Sequence, residues 1–303
     1  MVEYNVSRII DDRSFPIIGV SYIGAPKDNT AMYISKKIAD KIGVLRDYQN
    51  CLVFAQAGIE VDEAIKKKNA IVFSDNPQLA YARFAMDYVK WHEKAEAKMS
   101  YKYVNGSYIS ESAVIGDDVY IEEGCHIGHN VVIGNDAKLL KGCVIRNARI
   151  GDGFIANEYA VVGANGFTMA TDEHDNKIRI PSLGGVLIGD NVEIGAHDNV
   201  SRGSAGDTIL ENNVKLDAFV HIGHDACLKK NVEVTAGAIV GGFDIIGENV
   251  FLGLNVTLRN RIAIHSDTTI GMGAVVTKNI EVQDTVVGNP AKHFEKSHVA
   301  KTI

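Results

Sequence analysis

Residues 115–145 read IGDDVYIEEGCHIGHNVVIGNDAKLLKGCVI, with an aliphatic residue at every sixth position and a glycine or an acidic residue commonly next to it. The ruler starts at Ile109 and runs through Ile115, Ile121, Ile127, Ile133 and Leu139 to Ile145. Four places after an aliphatic position stands a small or β-branched residue: Ala113, Val119, Cys125, Val131, Ala137 and Cys143. The register slips by one at Ile150 and resumes at Ala156 and Val162. A second run holds from Leu210 through Leu216, Ile222, Leu228, Val234, Val240, Ile246, Leu252, Leu258, Ile264 and Ile270 to Val276. A period of six matches neither the helical 3.6 nor the alternation of a flat strand. It suits a solenoid whose triangular coil has three sides of six residues, so that positions eighteen apart stack at the ordinary strand separation of about 4.8 Å. The aliphatic and small positions then fill a thin core, while Gly, Asn and Asp take corners that need positive φ.

The ruler is broken twice, at 163–185, GANGFTMATDEHDNKIRIPSLGG, and near 201–208, SRGSAGDT. A pure scaffold has no use for such breaks, whereas loops that leave a rigid solenoid build binding surfaces. Before residue 101 the pattern changes. The runs TAMYI (30–34), CLVFA (51–55) and AIVFS (70–74) read as strands, and the lysine-rich VDEAIKKK between them reads as helix. Asn76 and Pro77 form a cap and first-turn pair. Leu79, Ala82, Met86 and Val89 then mark one face of a helix that runs to about Lys98 and connects to the solenoid.

The chain has 303 residues, 46% of them hydrophobic, and a formal charge of −7, which argues against a partner that is DNA, RNA or an anionic lipid surface. Cys51, Cys125, Cys143 and Cys227 form no CxxC pair and no His/Cys cluster at zinc spacing, a usage that suits reduced thiols and predicts no metal. The opening MVEYNVSRIIDDRSF carries no signal-peptide pattern, and no stretch offers about eighteen uninterrupted apolar residues. The expectation is a cytoplasmic protein without an integral membrane contact.

So regular a hexad resembles the left-handed parallel β-helix of the hexapeptide-repeat acyltransferases. The whole chain is similar to the UDP-3-O-(3-hydroxyacyl)glucosamine N-acyltransferases of lipid A synthesis, through three stretches: DNPQLAYARF (75–84), GANGF (163–167) and VLIGDNVEIGAHDNVSRGSAGDTILENNVKLDAFVHIGHD (186–225). The resemblance implies a mainly β fold in three parts: a small α/β sugar-nucleotide-binding domain with its connecting helix (1–100), a β-helix acyltransferase domain (101–285) and a tail (286–303). It also implies a homotrimer with its sites in clefts between neighbouring β-helices.

Acyl transfer from a thioester to an amine needs a base for the amine proton and a donor for the carbonyl oxyanion. His224, in VHIGHD, is the second residue after Ile222, a corner position whose side chain leaves the coil; an isolated histidine there reads as a solvent-facing residue. The family's catalytic histidine aligns with it, and the glycine whose N–H serves the oxyanion aligns with Gly242, eighteen residues on. Asp225 and Asp217 are both candidates to orient the imidazole, and the sequence does not choose. His129, in IGHNVV, nearly copies the local sequence of His224 without a neighbouring loop and reads as structural. The resemblance implies substrate contacts from Asn165, Phe167 and His221, the last with packing as its plainer reading. Joint metal ligation by His221 and His224 lacks a third ligand, and residues three apart on a strand point to opposite faces.

The chain also departs from the family. Where the family reads uracil through an aromatic residue, an asparagine and a tyrosine, MYISKKI puts Met32, Ser35 and Ile38, leaving Tyr33 and Ser35 as the candidate contacts. A second family histidine is Arg261 here, suited to phosphate rather than to proton transfer. The ending VVGNPAKHFEKSHVAKTI resembles that of coenzyme A-dependent sugar acetyltransferases, which implies donor contacts from Asn289, Pro290, Ala291 and Lys292. Lys292, Lys296 and Lys301 also read as an ordinary solvated tail. The reading put first is an N-acyltransferase moving a short acyl group from acyl-CoA to the amine of a nucleotide-linked amino sugar, with no permanently bound cofactor. Its alternatives are the lipid A-type reaction from acyl carrier protein and a non-catalytic sugar-nucleotide-binding trimer.

Overall fold

The computed structural model describes residues 3–293; Lys296 and Lys301 lie outside the described residues. The chain divides into two compact units, one of residues up to Ser100 with Asn165–Gly184 and Gly203–Gly206, the other of Tyr101–Ala164, Gly185–Arg202 and the residues from Asp207.

The second unit is a left-handed parallel β-helix. Tyr120 pairs with Lys138 and Ile121 with Leu139, and His221 pairs with Ile239 and Ile222 with Val240, each step being eighteen residues. The slip at Ile150 is a coil one residue short, in which Val132 pairs with Arg149 and Ile133 with Ile150. Across the two interruptions the ladder continues: Ile155 pairs with Glu193 and Asn199 with His221. Each side contributes only two or three ladder residues, because the corner residues turn the chain through positive φ. Ile127, Ile133, Leu139, Ile145, Ile222, Val240 and Leu252 are at most 1% exposed, as are Cys125, Val131, Ala137 and Cys143 of the small column. Burial of one such aliphatic side chain is worth about 1.5–3 kcal/mol, so the core gains stability coil by coil.

Corners repeat as faithfully as strands. Asn213, Asn231, Asn249 and Asp267 stack with φ of +62°, +61°, +56° and +59°. Their side chains form a ladder in which Asn213 Nδ2 donates to Asn231 Oδ1, Asn231 Nδ2 to Asn249 Oδ1 and Asn249 Nδ2 to Asp267 Oδ1, each at 2.9 Å. At another corner Tyr159, His197 and Phe219 stack their rings at 5.2 and 5.3 Å.

In the first unit a parallel sheet runs in the order Gly19–Val20, Thr30–Ile34, Leu52–Gln56, Ala70–Ser74. The three β-like runs are strands, the middle one shifted by a residue. Asp62 caps the helix Glu63–Lys68 through Ala64 N–H at 2.8 Å, and Asn76 caps Pro77–Glu96 through Leu79 N–H at 3.1 Å. The long helix buries a different face from the one its aliphatic residues suggest. Tyr81, Phe84 and Tyr88 are buried with Leu79 and Ala82, against Tyr4 among others, while Met86 and Val89 are half-buried. Aromatic area outweighs aliphatic spacing here. The segment Lys36–Asp47, on which the sequence is silent, forms 3-10 turns kinked at Ile38.

The first interruption is not a free loop. Its hairpin, Met169–Thr171 with Lys177–Arg179, puts Ala170 and Ile180 into the core of the first unit. Asn76 Nδ2 donates to the Thr171 carbonyl at 3.2 Å, and Arg83 meets Glu173 at 2.7 Å on the surface. Among the described residues no helix is long and apolar enough to cross a membrane.

The asparagine ladder yields a stability test. Asn231→Val puts a β-branched residue at positive φ and removes two ladder bonds, and should destabilise by about 1–3 kcal/mol. Asn231→Gly loses the same bonds without the strain and should cost less; denaturant unfolding of both variants decides it, and equal losses would refute the role given to φ.

Candidate active site

The corner that ends strand His221–Ile222 carries His224 and Asp225. Asp225 adopts φ +62°, which folds its carboxylate back onto the preceding side chain, and Asp225 Oδ2 lies 2.7 Å from His224 Nδ1. A carboxylate only accepts, so Nδ1 is the donating nitrogen, and in the neutral ring Nε2 is the one that keeps its lone pair. Thr208 Oγ1, wholly buried, takes the Asp225 N–H at 2.8 Å. Asp217, the other candidate orienter, is used elsewhere, accepting Ala218 N–H at 2.8 Å and Ala236 N–H at 3.2 Å.

One coil on, the Gly241–Gly242–Phe243 corner sits over this imidazole. A Cβ added to Gly242 would meet His224 Nε2 and Cε1 at 3.1 Å, and one added to Gly223 would meet Gly242 N at 2.5 Å. Both glycines are therefore needed for the close approach, and the basic nitrogen lies on the Gly242 side. The Gly242 N–H has no acceptor among the described residues, whereas its carbonyl takes the Arg261 N–H at 3.0 Å. Phe243 meets the His224 ring edge-to-face at 5.3 Å. The Arg261 guanidinium covers Phe243, 3.9 Å from the ring centroid. Arg261 is thus brought to the His224 corner with its guanidinium on an aromatic face. Phe243 and Thr208 were missed by sequence reasoning; the signal available for Phe243 was its place eighteen residues after Asp225.

His221 is exposed and stacks between Asn199 and Ile239 in the ladder. Desolvation, and secondarily the nearness of His224, lower its pKa and favour the neutral ring. The copied motif at His126 and His129 has other surroundings. Tyr101 lies over both imidazoles, at 5.0 and 4.6 Å, and His129 Nδ1 is 2.6 Å from Ser110 Oγ, not from a carboxylate.

The first unit holds the remaining substrate candidates. Asn165 is exposed, and Phe167, 74% exposed, carries the Arg179 guanidinium 5.0 Å from its ring centroid. Arg179 is anchored in turn by the Gly166 carbonyl at 2.9 Å. Met32 is 1% exposed in a hydrophobic core and Ile38 packs on the same cluster, so neither is placed to stack on a base. Tyr33 is half-buried against Tyr81, with centroids 5.3 Å apart, and Ser35 precedes the 3-10 segment. In the tail, Lys292 pairs back antiparallel to Val287. Ala291 gives its N–H to the Val275 carbonyl at 2.8 Å and packs on the β-helix core, while Asn289, Pro290 and Lys292 are exposed. Ala291 closes the last coil. No cluster of three metal-ligating side chains occurs among the described residues.

Residues 112–147 match the bacterial transferase hexapeptide (six repeats) family. A UDP-3-O-acylglucosamine N-acyltransferase of Herminiimonas arsenicoxydans is 31% identical over 300 residues, covering 93% of this chain and 84% of that one. The like-named protein of Caulobacter sp. (strain K31) is 32% identical over 153 residues, 50% of this chain and 45% of that one; in such shorter alignments the chain spans about half the length of the curated relatives it matches. Among solved structures, the UDP-N-acetylglucosamine acyltransferase of Bacteroides fragilis superposes with a TM-score of 0.56 at 27% identity, over 63% of this chain and 73% of that one. The acyltransferase of that name from Francisella novicida gives 0.55 at 27%, over 61% and 66%. With the hexapeptide coil and an identity of 31% sustained over 93% of its length, the chain belongs to the UDP-3-O-acylglucosamine N-acyltransferase family.

Proposed function

We propose that the chain transfers an acyl group from a thioester to the amine of a UDP-linked 3-O-acylglucosamine, with His224 as general base and the Gly242 N–H as oxyanion donor. One observation carries this reading: an imidazole with Nδ1 held by Asp225 lies against Gly242, whose N–H has no acceptor among the described residues. The amine nitrogen attacks the thioester carbonyl while Nε2 takes its proton. The oxygen, now anionic, accepts the Gly242 N–H. As the tetrahedral centre collapses the C–S bond breaks, and the imidazolium returns its proton to the departing thiolate. Asp225 keeps the tautomer and stabilises the imidazolium. Replacing Asp225 by Asn would offer an amide N–H to Nδ1 and favour the wrong tautomer.

The relatives reorder the alternatives drawn from the sequence. Their shared name supports the lipid A-type acceptor over a short-acyl transfer to some other nucleotide sugar, and GNPAK loses weight as a donor signature because Ala291 is occupied in closing the coil. A homotrimer is supported by the outward faces. One carries Val144, Val161 and Ile239 beside His126, Asn199 and His221, another Val114, Leu187, Ile209 and Ile245, and the third sets Tyr120, Ile155 and Phe251 among Lys138, Glu193, Lys215 and Glu233. Ile239 is 43% and Ile245 52% exposed in the single chain, apolar area that a second and third copy would cover.

His224→Ala should lower kcat by roughly 10²- to 10⁴-fold with the assembly intact, and His129→Ala should change it little. Asp225→Asn should cost on the order of 10²-fold or more. Near-normal turnover in the His224 variant would remove the assignment. Thiol release should be measured for acyl-CoA and acyl carrier protein donors against UDP-3-O-acylglucosamine and several other amino-sugar nucleotides. Release with the UDP-linked acceptor is expected; release only with another nucleotide sugar would restore the short-acyl reading. Light scattering should give three times 32.8 kDa, and a fully active monomer would contradict the trimer.

A further inference from the structure

The position four after each inward aliphatic residue is apolar through most of the β-helix: Ala226, Val232, Ala238, Val250 and Val256 are at most 1% exposed there. Asp244 occupies the same slot directly behind the Gly241–Gly242 corner, and it too is wholly buried. Its carboxylate does what the coil-to-coil ladder does elsewhere. In the coil before, Gly223 gives its N–H to the Val240 carbonyl at 2.9 Å, and in the coil after, Arg259 gives its own to Val276 at 2.9 Å. Gly241 instead donates to Asp244 Oδ2 at 2.8 Å. Asp244 Oδ1 takes the Ile262 N–H from the next coil at 3.0 Å, and the Asp244 carbonyl takes the Cys227 N–H from the preceding one at 2.8 Å. The strand pairing records the interruption, since Ile239–Thr257 is the single register pair there, against two in the pairings on either side.

We propose that Asp244 is a positioning residue for the oxyanion site: by drawing the Gly241 N–H inward and tying it to Ile262 of the coil above, its carboxylate fixes the corner peptide so that the Gly242 N–H points outward beside His224. The proposal rests on the reading of Gly242 as oxyanion donor. The positions stacked below and above Asp244 are the apolar Ala226 and Ile262, and burial pushes the Asp244 pKa up to about 7 against the pull of its backbone N–H partners. Above that pH an ionised carboxylate is held in an apolar core, a cost that an aliphatic residue would not carry.

Asp198 supplies an internal control. It fills the same slot at a corner away from His224, accepting Gly195 N–H and Val220 N–H at 2.7 Å each. A β-branched aliphatic residue suits both positions, as Ile262 in the coil above Asp244 and Val220 in the coil above Asp198 show. Asp244→Val should therefore assemble normally and melt no lower than the parent at pH 8, yet lose roughly 10- to 100-fold in kcat with KM for both substrates nearly unchanged, as expected for an oxyanion donor turned from its line. Asp244→Asn, which keeps one acceptor oxygen, should fall between, and Asp198→Val should keep its kcat. A kcat within twofold of the parent in Asp244→Val, a loss that tracks melting temperature, or an equal loss in Asp198→Val would overturn the proposal. His224→Ala, run alongside, separates the two ideas: if it stays active the oxyanion reading itself fails, and if it is inactive while Asp244→Val is not, only the positioning role falls.

Discussion

Everything in the β-helix depends on coils stacking at one strand separation, which forces each inward position to be filled by the same kind of residue coil after coil. A core one residue deep has no room to compensate a mismatch from a second layer. Ile222 lies under Val240, and Cys125 under Cys143 with their sulfurs 3.5 Å apart. Chemistry is therefore excluded from the interior and from the short strands, and it is left to the corners. There the backbone already needs positive φ, so the side chain leaves the coil and the neighbouring N–H points outward.

The same constraint explains what could be read in the sequence and what could not. A period of six survives any local substitution, so the coil, its slip at Ile150 and the alignment of His224 with Gly242 were legible from spacing. The α/β unit offers no such ruler. Its three strands were found because β-branched and aromatic runs mark them, but the buried face of the long helix was misjudged: Leu79, Ala82, Met86 and Val89 keep a helical spacing, while the larger area belongs to Tyr81, Phe84 and Tyr88. Nor does composition show that the hairpin Met169–Arg179 leaves the solenoid to complete another core. Contacts between distant segments have no local signature.

The two copies of HIGH make the point at the scale of a site. Local sequence treats His129 and His224 alike; the adjacent residues do not. Asn130 follows the first and Asp225 the second, and only a carboxylate folded back by positive φ fixes the tautomer that leaves Nε2 basic. Tyr101 covers the first imidazole, whereas Gly242 faces the second. Spacing left Asp217 and Asp225 level as orienters, because the choice lies in which backbone N–H groups each carboxylate caps.

A corner built this way suits acyl transfer for a physical reason. The donor proposed for the developing oxyanion is a peptide N–H held by bonded coils on both sides, so it need not reorganise as charge appears on the carbonyl oxygen. The imidazole is held as firmly, between the Asp225 carboxylate and the edge of Phe243, which the Arg261 guanidinium covers in turn. Rigidity in this fold is inherited from the stacking, and the His224 corner differs from the other corners in few side chains. Thr208, Phe243 and Asp244 each break a local regularity of the repeat, and each break falls at or beside the coil of His224.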